Sequence, residues 1–426
     1  MADVIQDIGL IFPRSQLNRL TLFLGGTETD EAYSTTIGEE FLDPLGIDEK
    51  FFTFDEGALN RIIENNSVNN PNGTKLTKED FNYVQHQDRP FLIIGGVLIE
   101  PWKGGDPNNL YPLEMTPLYT GIRKFQTTAS GRQIGGGYVE SFAYDSIPPS
   151  KELKTDGTLN QFTIGRNKHR FTLWDVIGTS GAAPEIALDK YNIENLGFPE
   201  FRSWPVIPNQ IVSFKDDVHH GDGGFLDNFG LMPLLVRQVE NILVFVNTAT
   251  AFDAENGDGV VDEKDIVDDV FGYFGQMPKL YPKNRVFEEK EFNNLYEAYK
   301  KNKQQGNPLV YCQKYSIMDN PNYVISSKKP DNTDYKPTIC WVYLDRTEKW
   351  IKKLDVNDEV SKKISKNEGP FKNFPHYKTF AEGKKQFEII DIDRKAVNAL
   401  SQLTAWTVLE SKYYLSHHLG LSVEDR

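Results

Sequence analysis

The stretch of sequence that constrains the fold most strongly is HGDGGFLDNFGLMPLL at residues 220–235, which leads into the apolar run ILVFV at residues 242–246. Asp222 is surrounded by glycines, which allow positive φ angles and leave space beside its carboxylate. The following residues predict a turn into a short helix, and the apolar run predicts a buried strand. We therefore expect Asp222 on a loop beside a sheet edge, where binding and catalytic groups are concentrated. The competing interpretation is an ordinary turn former, since Asp-Gly pairs are common in turns.

Segments with strand and helix patterns alternate along the rest of the chain, which predicts an α/β fold. Buried strands are expected at residues 90–100 and 171–177, and in the first of these Gly95 and Gly96 indicate close approach of another main chain. Helices are expected at residues 54–66, 181–188, 284–304 and 394–417. Polar surface segments are expected at residues 326–336 and 361–375.

The composition is acidic, because 61 Asp and Glu residues against 47 Lys and Arg residues give a formal net charge of −14 over 426 residues. This charge argues against nucleic-acid binding and against electrostatic docking on anionic lipid. The longest apolar run, residues 91–99, is too short to cross a bilayer. We expect no transmembrane segment and, at most, peripheral membrane contact through apolar side chains.

The two cysteines, Cys312 and Cys340, allow at most one disulfide bridge, so no disulfide framework defines the fold. The first residues, MADVIQD, lack the basic and apolar regions of a secretory signal. Together these features favour a cytoplasmic location.

Ser180 is a candidate nucleophile. The sequence GTSGA at residues 178–182 follows the strand expected at residues 171–177 and precedes a predicted helix, which is the setting of a nucleophile elbow. A serine in this position is equally suited to cap the N-terminus of a helix. Both interpretations stay open from the pattern alone.

A glycine triplet, Gly135-Gly136-Gly137, offers backbone N–H groups of the kind that bind an oxyanion. A flexible turn is the more general interpretation of such a triplet. His219 and His220 stand next to Asp222, but adjacent residues of one loop point in different directions, so they do not predict a catalytic triad. We expect both histidines on the surface.

Two segments resemble one enzyme family. The block YPLEMTPLYTG at residues 111–121 is similar to the "E-F-x-P-x-E-x-G" block of the cytosolic phospholipase A2 and fungal phospholipase B (lysophospholipase) family. Asp222, with Gly223 and Gly224 beside it in the loop, is similar to the Asp-Gly-Gly/Ala signature of the wider patatin-like superfamily. The resemblance covers residues 85–250. It implies a serine–aspartate dyad with Asp222 as the base, and a phospholipid or lysophospholipid substrate.

The resemblance also implies a domain organisation. A three-layer α/β/α fold with a central mixed sheet would span residues 1–426 as a single patatin-like domain. Residues 251–390 would hold insertions and surface segments. Residues 394–417 would form a C-terminal amphipathic helix.

The family pattern places the nucleophile outside the chain. Only 42 positions separate Ser180 from Asp222, far fewer than between the serine and the acid of patatin-like proteins. With residues 111–121 aligned to the family block, Ser180 falls in a second, non-nucleophilic Gly-x-Ser segment. No Gly-x-Ser precedes it, so the nucleophile motif would have to precede residue 1. The chain is then either part of a longer hydrolase, whose N-terminal segment carries the serine, or a non-catalytic relative that binds lipid or a partner.

One acidic segment, DAENGDGVVDEKD at residues 253–265, resembles an EF-hand calcium loop. The residues that would supply oxygen ligands are Asp253, Asn256, Asp258, Asp262 and Asp265. The first loop position is Ala254, and the last is an aspartate instead of the longer glutamate. We therefore expect weak calcium binding or none, and no other cofactor.

Overall fold

The computed structural model describes residues 32–65, 76–83, 90–102, 106–147, 169–182, 197–206, 217–253, 266–376 and 394–422. The chain divides into two compact units. Among the described residues, the N-terminal unit comprises those up to Pro233 together with Asn322–Val324, and the C-terminal unit comprises those from Leu234 to Pro321 and from Ile325 onwards.

The described part of the N-terminal unit contains ten strands, most of them short. They are β1 (Phe51–Thr53), β2 (Phe81–Tyr83), β3 (Ile94–Ile99), β4 (Leu110–Met115), β5 (Thr120–Ile122), β6 (Gln126–Thr127), β7 (Gln133–Ile134), β8 (Gly137–Val139), β9 (Glu200–Phe201) and β10 (Val218–Asp222). Six of them form an antiparallel sheet in the order β8-β5-β4-β3-β10-β9. The strands β1 and β2 pair in parallel, and β6 and β7 form a small hairpin.

Helices cover both faces of the strand β3. The helices described before the C-terminal sheet are α1 (Ala32–Ile37), α2 (Glu56–Asn65), α3 (Leu173–Ser180), α4 (Gly224–Asp227) and α5 (Met232–Val236). The helix α5 crosses the division between the units, and the two helices that cover β3 are α3 and α4. On one face, Leu98 of β3 and Val176 of α3 lie in the larger core cluster. On the other face, Val97 and Ile99 pack with Leu226 of α4. The strand is therefore buried on both sides, as its continuous apolar run predicted.

The strand expected at residues 171–177 was wrong, because these residues begin the helix α3. Thr172 and Asp175 form a capping box, in which the Thr172 N–H donates to Asp175 Oδ2 at 2.7 Å. This pair satisfies main-chain donors at the helix start and so favours a helix over a strand for an apolar segment that either could accommodate. The helix expected at residues 181–188 lies mostly outside the described residues.

The C-terminal unit contains a three-stranded sheet, formed by β11 (Asn241–Val246), β12 (Leu309–Lys314) and β13 (Thr338–Tyr343). The central strand β13 is buried throughout, pairs in parallel with β11 and pairs antiparallel with β12. Its register places Cys340 opposite Cys312, and the two are joined by a disulfide bridge. The strand β11 was expected to be buried, and in the structure its fully buried residues alternate with partly buried or exposed ones.

The described part of this unit also contains six α-helices: α6 (Asp268–Tyr273), α7 (Glu289–Gln304), α8 (Glu348–Ile351), α9 (Glu359–Lys366), α10 (Arg394–Glu410) and α11 (Lys412–Leu419). The predicted helix at residues 394–417 is thus two helices that meet at Ser411, and the predicted surface segment at 361–375 includes most of α9. The α/β class is confirmed by both units. Among the described helices, none combines the length and the apolar character needed to cross a membrane.

The main chain of Gly223 lies directly against the start of β3. A Cβ atom added to Gly223 would lie 2.6 Å from the carbonyl carbon of Gly95 and 2.9 Å from the nitrogen of Gly96. Both distances are far inside van der Waals contact, and the neighbours are backbone atoms that cannot rotate away. The close approach that the Gly95-Gly96 pair predicted is therefore confirmed.

We predict that Gly223→Ala lowers the free energy of unfolding by about 1–3 kcal/mol, because the added methyl group forces the main chains apart. Gly95→Ala is the matched control, since a Cβ there meets no atom within 4 Å. It should change stability by less than about 1 kcal/mol. Urea denaturation of both variants checks this, and equal effects would contradict the close contact.

Candidate functional site

Asp222 is the last residue of β10 and lies opposite Gly96 of β3. It was expected on a loop, but the chain passes from the strand to α4 with only Gly223 between them. The Asp222 carboxylate is partly buried, and its Oδ1 accepts the Gly224 N–H at 2.7 Å. Burial raises the pKa of Asp222 above its usual value, and the hydrogen bond from Gly224 offsets this only in part. The site therefore holds a carboxylate that is a stronger proton acceptor than an exposed aspartate.

Gly224 leaves room for this carboxylate. A Cβ atom on Gly224 would lie 3.1 Å from Asp222 Oδ1 and 3.0 Å from Asn228 Oδ1. Any side chain at residue 224 would crowd the oxygen that Gly224 now binds. The hydrogen bond from Gly224 engages Oδ1 and not Oδ2.

The C-terminal end of α3 covers the same face of the sheet. The Thr179 methyl carbon lies 3.1 Å from the position of a Cβ on Gly96. Because paired residues of an antiparallel sheet direct their side chains to the same face, Thr179 and the side chain of Asp222 lie on one side of the sheet. Thr179 is fully buried, and its hydroxyl has no hydrogen-bond partner among the described residues.

Ser180 follows Thr179 as the last residue of α3 and is partly buried. It lies in the final turn of a helix, whereas a nucleophile elbow requires a sharp turn from a strand into a helix. No hydrogen bond joins the described side chains of Ser180 and Asp222. The structure thus brings the two residues to the same region of the N-terminal unit without pairing them.

The structure does not bring the glycine triplet to Asp222. Gly137 lies in β8, and the sheet order places β8 four strand spacings from β10, which is about 19 Å measured along the sheet. Gly135 and Gly136 have φ angles of 73° and 90°. A Cβ on Gly136 would lie 2.3 Å from the Val206 carbonyl oxygen. The triplet is a tightly packed turn that requires glycine for its backbone geometry.

The expected surface position of His220 was wrong. His220 is fully buried in β10, where its Nδ1 donates to the Val218 carbonyl at 2.6 Å and its Nε2 accepts from the Tyr144 hydroxyl at 2.9 Å. Burial lowers the pKa of His220 to about 3. His219, on the opposite face, stacks on Trp102 with ring centroids 4.0 Å apart. Burial lowers the pKa of His219 to about 4.

A polar cluster that the sequence analysis missed anchors the other end of α3. His169 Nδ1 lies 3.1 Å from Asp145 Oδ2, and its Nε2 lies 3.4 Å from Asp175 Oδ1. Asp145 Oδ1 also accepts the Arg202 N–H at 2.8 Å. These contacts hold the start of α3, and hence the position of Thr179 and Ser180 at its end. The Thr172-x-x-Asp175 spacing was the available signal for this helix start.

The predicted calcium ligands are mostly outside the described residues. Asp253 is exposed, whereas Asn256, Asp258, Asp262 and Asp265 fall in the undescribed segment. Within the described ranges, no group of three or more His, Cys, Asp or Glu side chains is arranged to hold a metal ion. The expectation of weak or absent calcium binding stays a prediction.

Comparison with known proteins gives no family for the chain. A scan against protein-family models finds no match, and a search of curated proteins finds no significant relative.

The buried histidine predicts acid sensitivity. The native state keeps His220 neutral down to pH about 3, whereas the unfolded chain binds a proton near the ordinary value of 6.5. Stability is therefore lost as the pH falls through this interval, by about 2 kcal/mol between pH 7 and pH 5. Urea denaturation at the two pH values measures the loss. His220→Gln, which does not titrate, should show a smaller pH dependence, and an unchanged dependence would exclude His220 as the cause.

Proposed function

We propose that the protein is a lipid acyl ester hydrolase of the phospholipase or lysophospholipase class, with Asp222 as the general base. One observation carries the proposal: a partly buried carboxylate with a raised pKa stands at the end of a strand, oriented by the Gly224 N–H. Close main-chain packing of Gly223 against Gly95 holds this end of the strand in place.

The reaction would proceed through a serine ester. Asp222 Oδ2 takes the proton of a serine hydroxyl while the serine oxygen attacks the acyl carbonyl. The tetrahedral intermediate collapses to an acyl-serine, and the proton on Asp222 passes to the leaving alcohol of the lipid. Asp222 then activates a water molecule, which hydrolyses the acyl-serine to a fatty acid and free enzyme.

We propose that the nucleophile is a serine of a Gly-x-Ser-Gly segment preceding residue 1, within a patatin-like three-layer fold. Ser180, the candidate inside the chain, belongs to the last turn of α3 and has no elbow geometry. The proposed substrates are phospholipids or lysophospholipids, and the proposed location is cytoplasmic. The disulfide between Cys312 and Cys340 weighs against that location, because such bridges persist mainly in oxidising compartments.

A second candidate function is non-catalytic binding of a lipid or a protein partner. The observation that favours it is the absence of a serine hydrogen-bonded to Asp222 within the described residues. In this case the carboxylate and its glycines would only shape a turn. Enzyme assays of the natural protein separate the two functions.

We predict that Asp222→Asn reduces the hydrolysis of a short-chain ester and of a lysophospholipid by about a hundredfold or more, since the change removes the base and little else. The assay uses the longest natural form of the protein, with any coding sequence upstream of Met1. Asp217→Asn, an exposed carboxylate just before β10, is the control and should retain activity. Activity should rise with pH through the raised pKa of Asp222, because only the ionised carboxylate accepts a proton. Full activity of Asp222→Asn would refute the assignment of the base, and complete inactivity of the natural protein would favour the binding function.

We predict that a fluorophosphonate probe does not label Ser180. Such probes react with serines activated by a base and an oxyanion site, and the end of α3 supplies neither to Ser180 in the described residues. Mass spectrometry of the treated protein locates any adduct. Stoichiometric labelling that disappears in Ser180→Ala would identify Ser180 as the nucleophile and remove the need for an upstream serine.

A further inference from the structure

The C-terminal unit contains a polar cavity of about 490 Å³, and none of the residues that line it is among the candidate site residues named above. It lies at the end of β13 and is bounded by the segment that follows α9. Its polar lining includes Lys303, Asp345, Arg346, Thr347, Lys372 and His376. These residues come from three separate parts of the chain, so the cavity is a product of the fold.

Asp345 lies in the cavity wall and contacts three of the residues around it. It is 4% exposed, and it binds the Lys303 ammonium at 2.6 Å, the His376 Nε2 at 3.2 Å and the Arg346 main-chain N–H at 2.6 Å. Burial alone would raise the pKa of Asp345, but the hydrogen bond with His376 and the charge of Lys303 outweigh it and lower that pKa. Asp345 is thus a fully compensated carboxylate that holds its neighbours in place.

Several N–H groups of the cationic side chains at the cavity have no acceptor within the described residues. The Lys303 ammonium donates to Asp345 and to the Phe252 carbonyl at 2.5 Å, which leaves one of its three N–H groups. The Arg346 Nη1 donates to the Ile364 carbonyl at 3.0 Å and to Asn367, which leaves Nε and Nη2 as a two-pronged donor.

Two further groups lack partners among the described residues. The Lys372 side chain is exposed and makes no ion pair there. Thr347 is only 6% exposed, and its buried hydroxyl makes no hydrogen bond within the described residues. A buried hydroxyl without a partner indicates a missing acceptor or donor, such as a ligand oxygen.

The balance of charge selects the sign of the ligand. Three cationic side chains, those of Lys303, Arg346 and Lys372, face two acidic ones, those of Asp345 and Glu348. The cavity therefore carries an excess of positive charge, on a chain whose formal net charge is −14. A local positive site on an otherwise acidic protein attracts small anions.

We propose that this cavity binds a phosphate group, either inorganic phosphate or a phosphate monoester. Phosphate matches the donor set better than a carboxylate, because its tetrahedral oxygens can meet the Arg346 fork and the two ammonium groups from different directions. The free volume exceeds that of a phosphate ion, so an organic group can accompany it.

Titration calorimetry on the full chain with inorganic phosphate and with glycerol 3-phosphate tests the proposal. We expect saturable binding of both ligands. Lys372→Gln, which removes a charge without a structural contact, should weaken binding about tenfold. Lys352→Gln removes the same charge from an exposed position outside the cavity and should leave affinity unchanged. Thr347→Val keeps the side-chain shape and should weaken binding about threefold while the protein stays folded.

Sedimentation with phosphatidylcholine vesicles that contain phosphatidic acid identifies the source of the phosphate. Binding of the soluble esters alone indicates a soluble ligand. If the protein sediments with the vesicles and Lys372→Gln abolishes this sedimentation, the phosphate belongs to a lipid headgroup. Both results support a phosphate site. No binding of either probe, or equal weakening by Lys372→Gln and Lys352→Gln, would overturn it. None of these variants touches Asp222, so the outcome is independent of the hydrolase assay.

Discussion

Main-chain contact between Gly223 and the Gly95-Gly96 pair positions everything around Asp222. At this contact, two segments of backbone meet with no side chain between them, since a Cβ on Gly223 would overlap the Gly95 carbonyl. The approach lets α4 begin immediately after β10, so the Asp222 carboxylate can accept the Gly224 N–H. On the face to which the Asp222 side chain points, the absence of a side chain at Gly96 lets the end of α3 approach the sheet.

The local features of this arrangement were predictable from the sequence. The glycines around Asp222, the apolar run of β3 and the short helix near Met232 each follow from propensity and pattern within a few residues. The prediction failed where two structures suited the same apolar segment. Residues 171–177 fit a strand by their hydrophobicity, but Thr172 and Asp175 cap a helix, and this short-range hydrogen bonding decided the outcome. The same pair of residues would have corrected the prediction.

Other features could not be predicted, because they depend on distant residues. The compensation of Asp345 requires Lys303 and His376, which the fold alone brings together. The burial of His220 depends on Tyr144 and on the sheet order, neither of which an HH pair beside a glycine reveals. The Cys312–Cys340 bridge follows from the register of β12 and β13, whereas the sequence established only that a single bridge was possible. Site chemistry in this protein is therefore mainly a tertiary property.

The parallel pairing of β11 with β13 has a consequence for biosynthesis. Asn241 pairs with Thr338, and β12 reaches the sheet only through the same central strand. At translation rates of roughly 5–20 residues per second, the ribosome needs about 5–20 s to produce the intervening chain. During that time both edges of β11 are without a partner from this sheet, and its apolar side chains are open to association with other nascent chains. The order in which the three strands leave the ribosome therefore makes β11 a segment that is exposed to aggregation during synthesis.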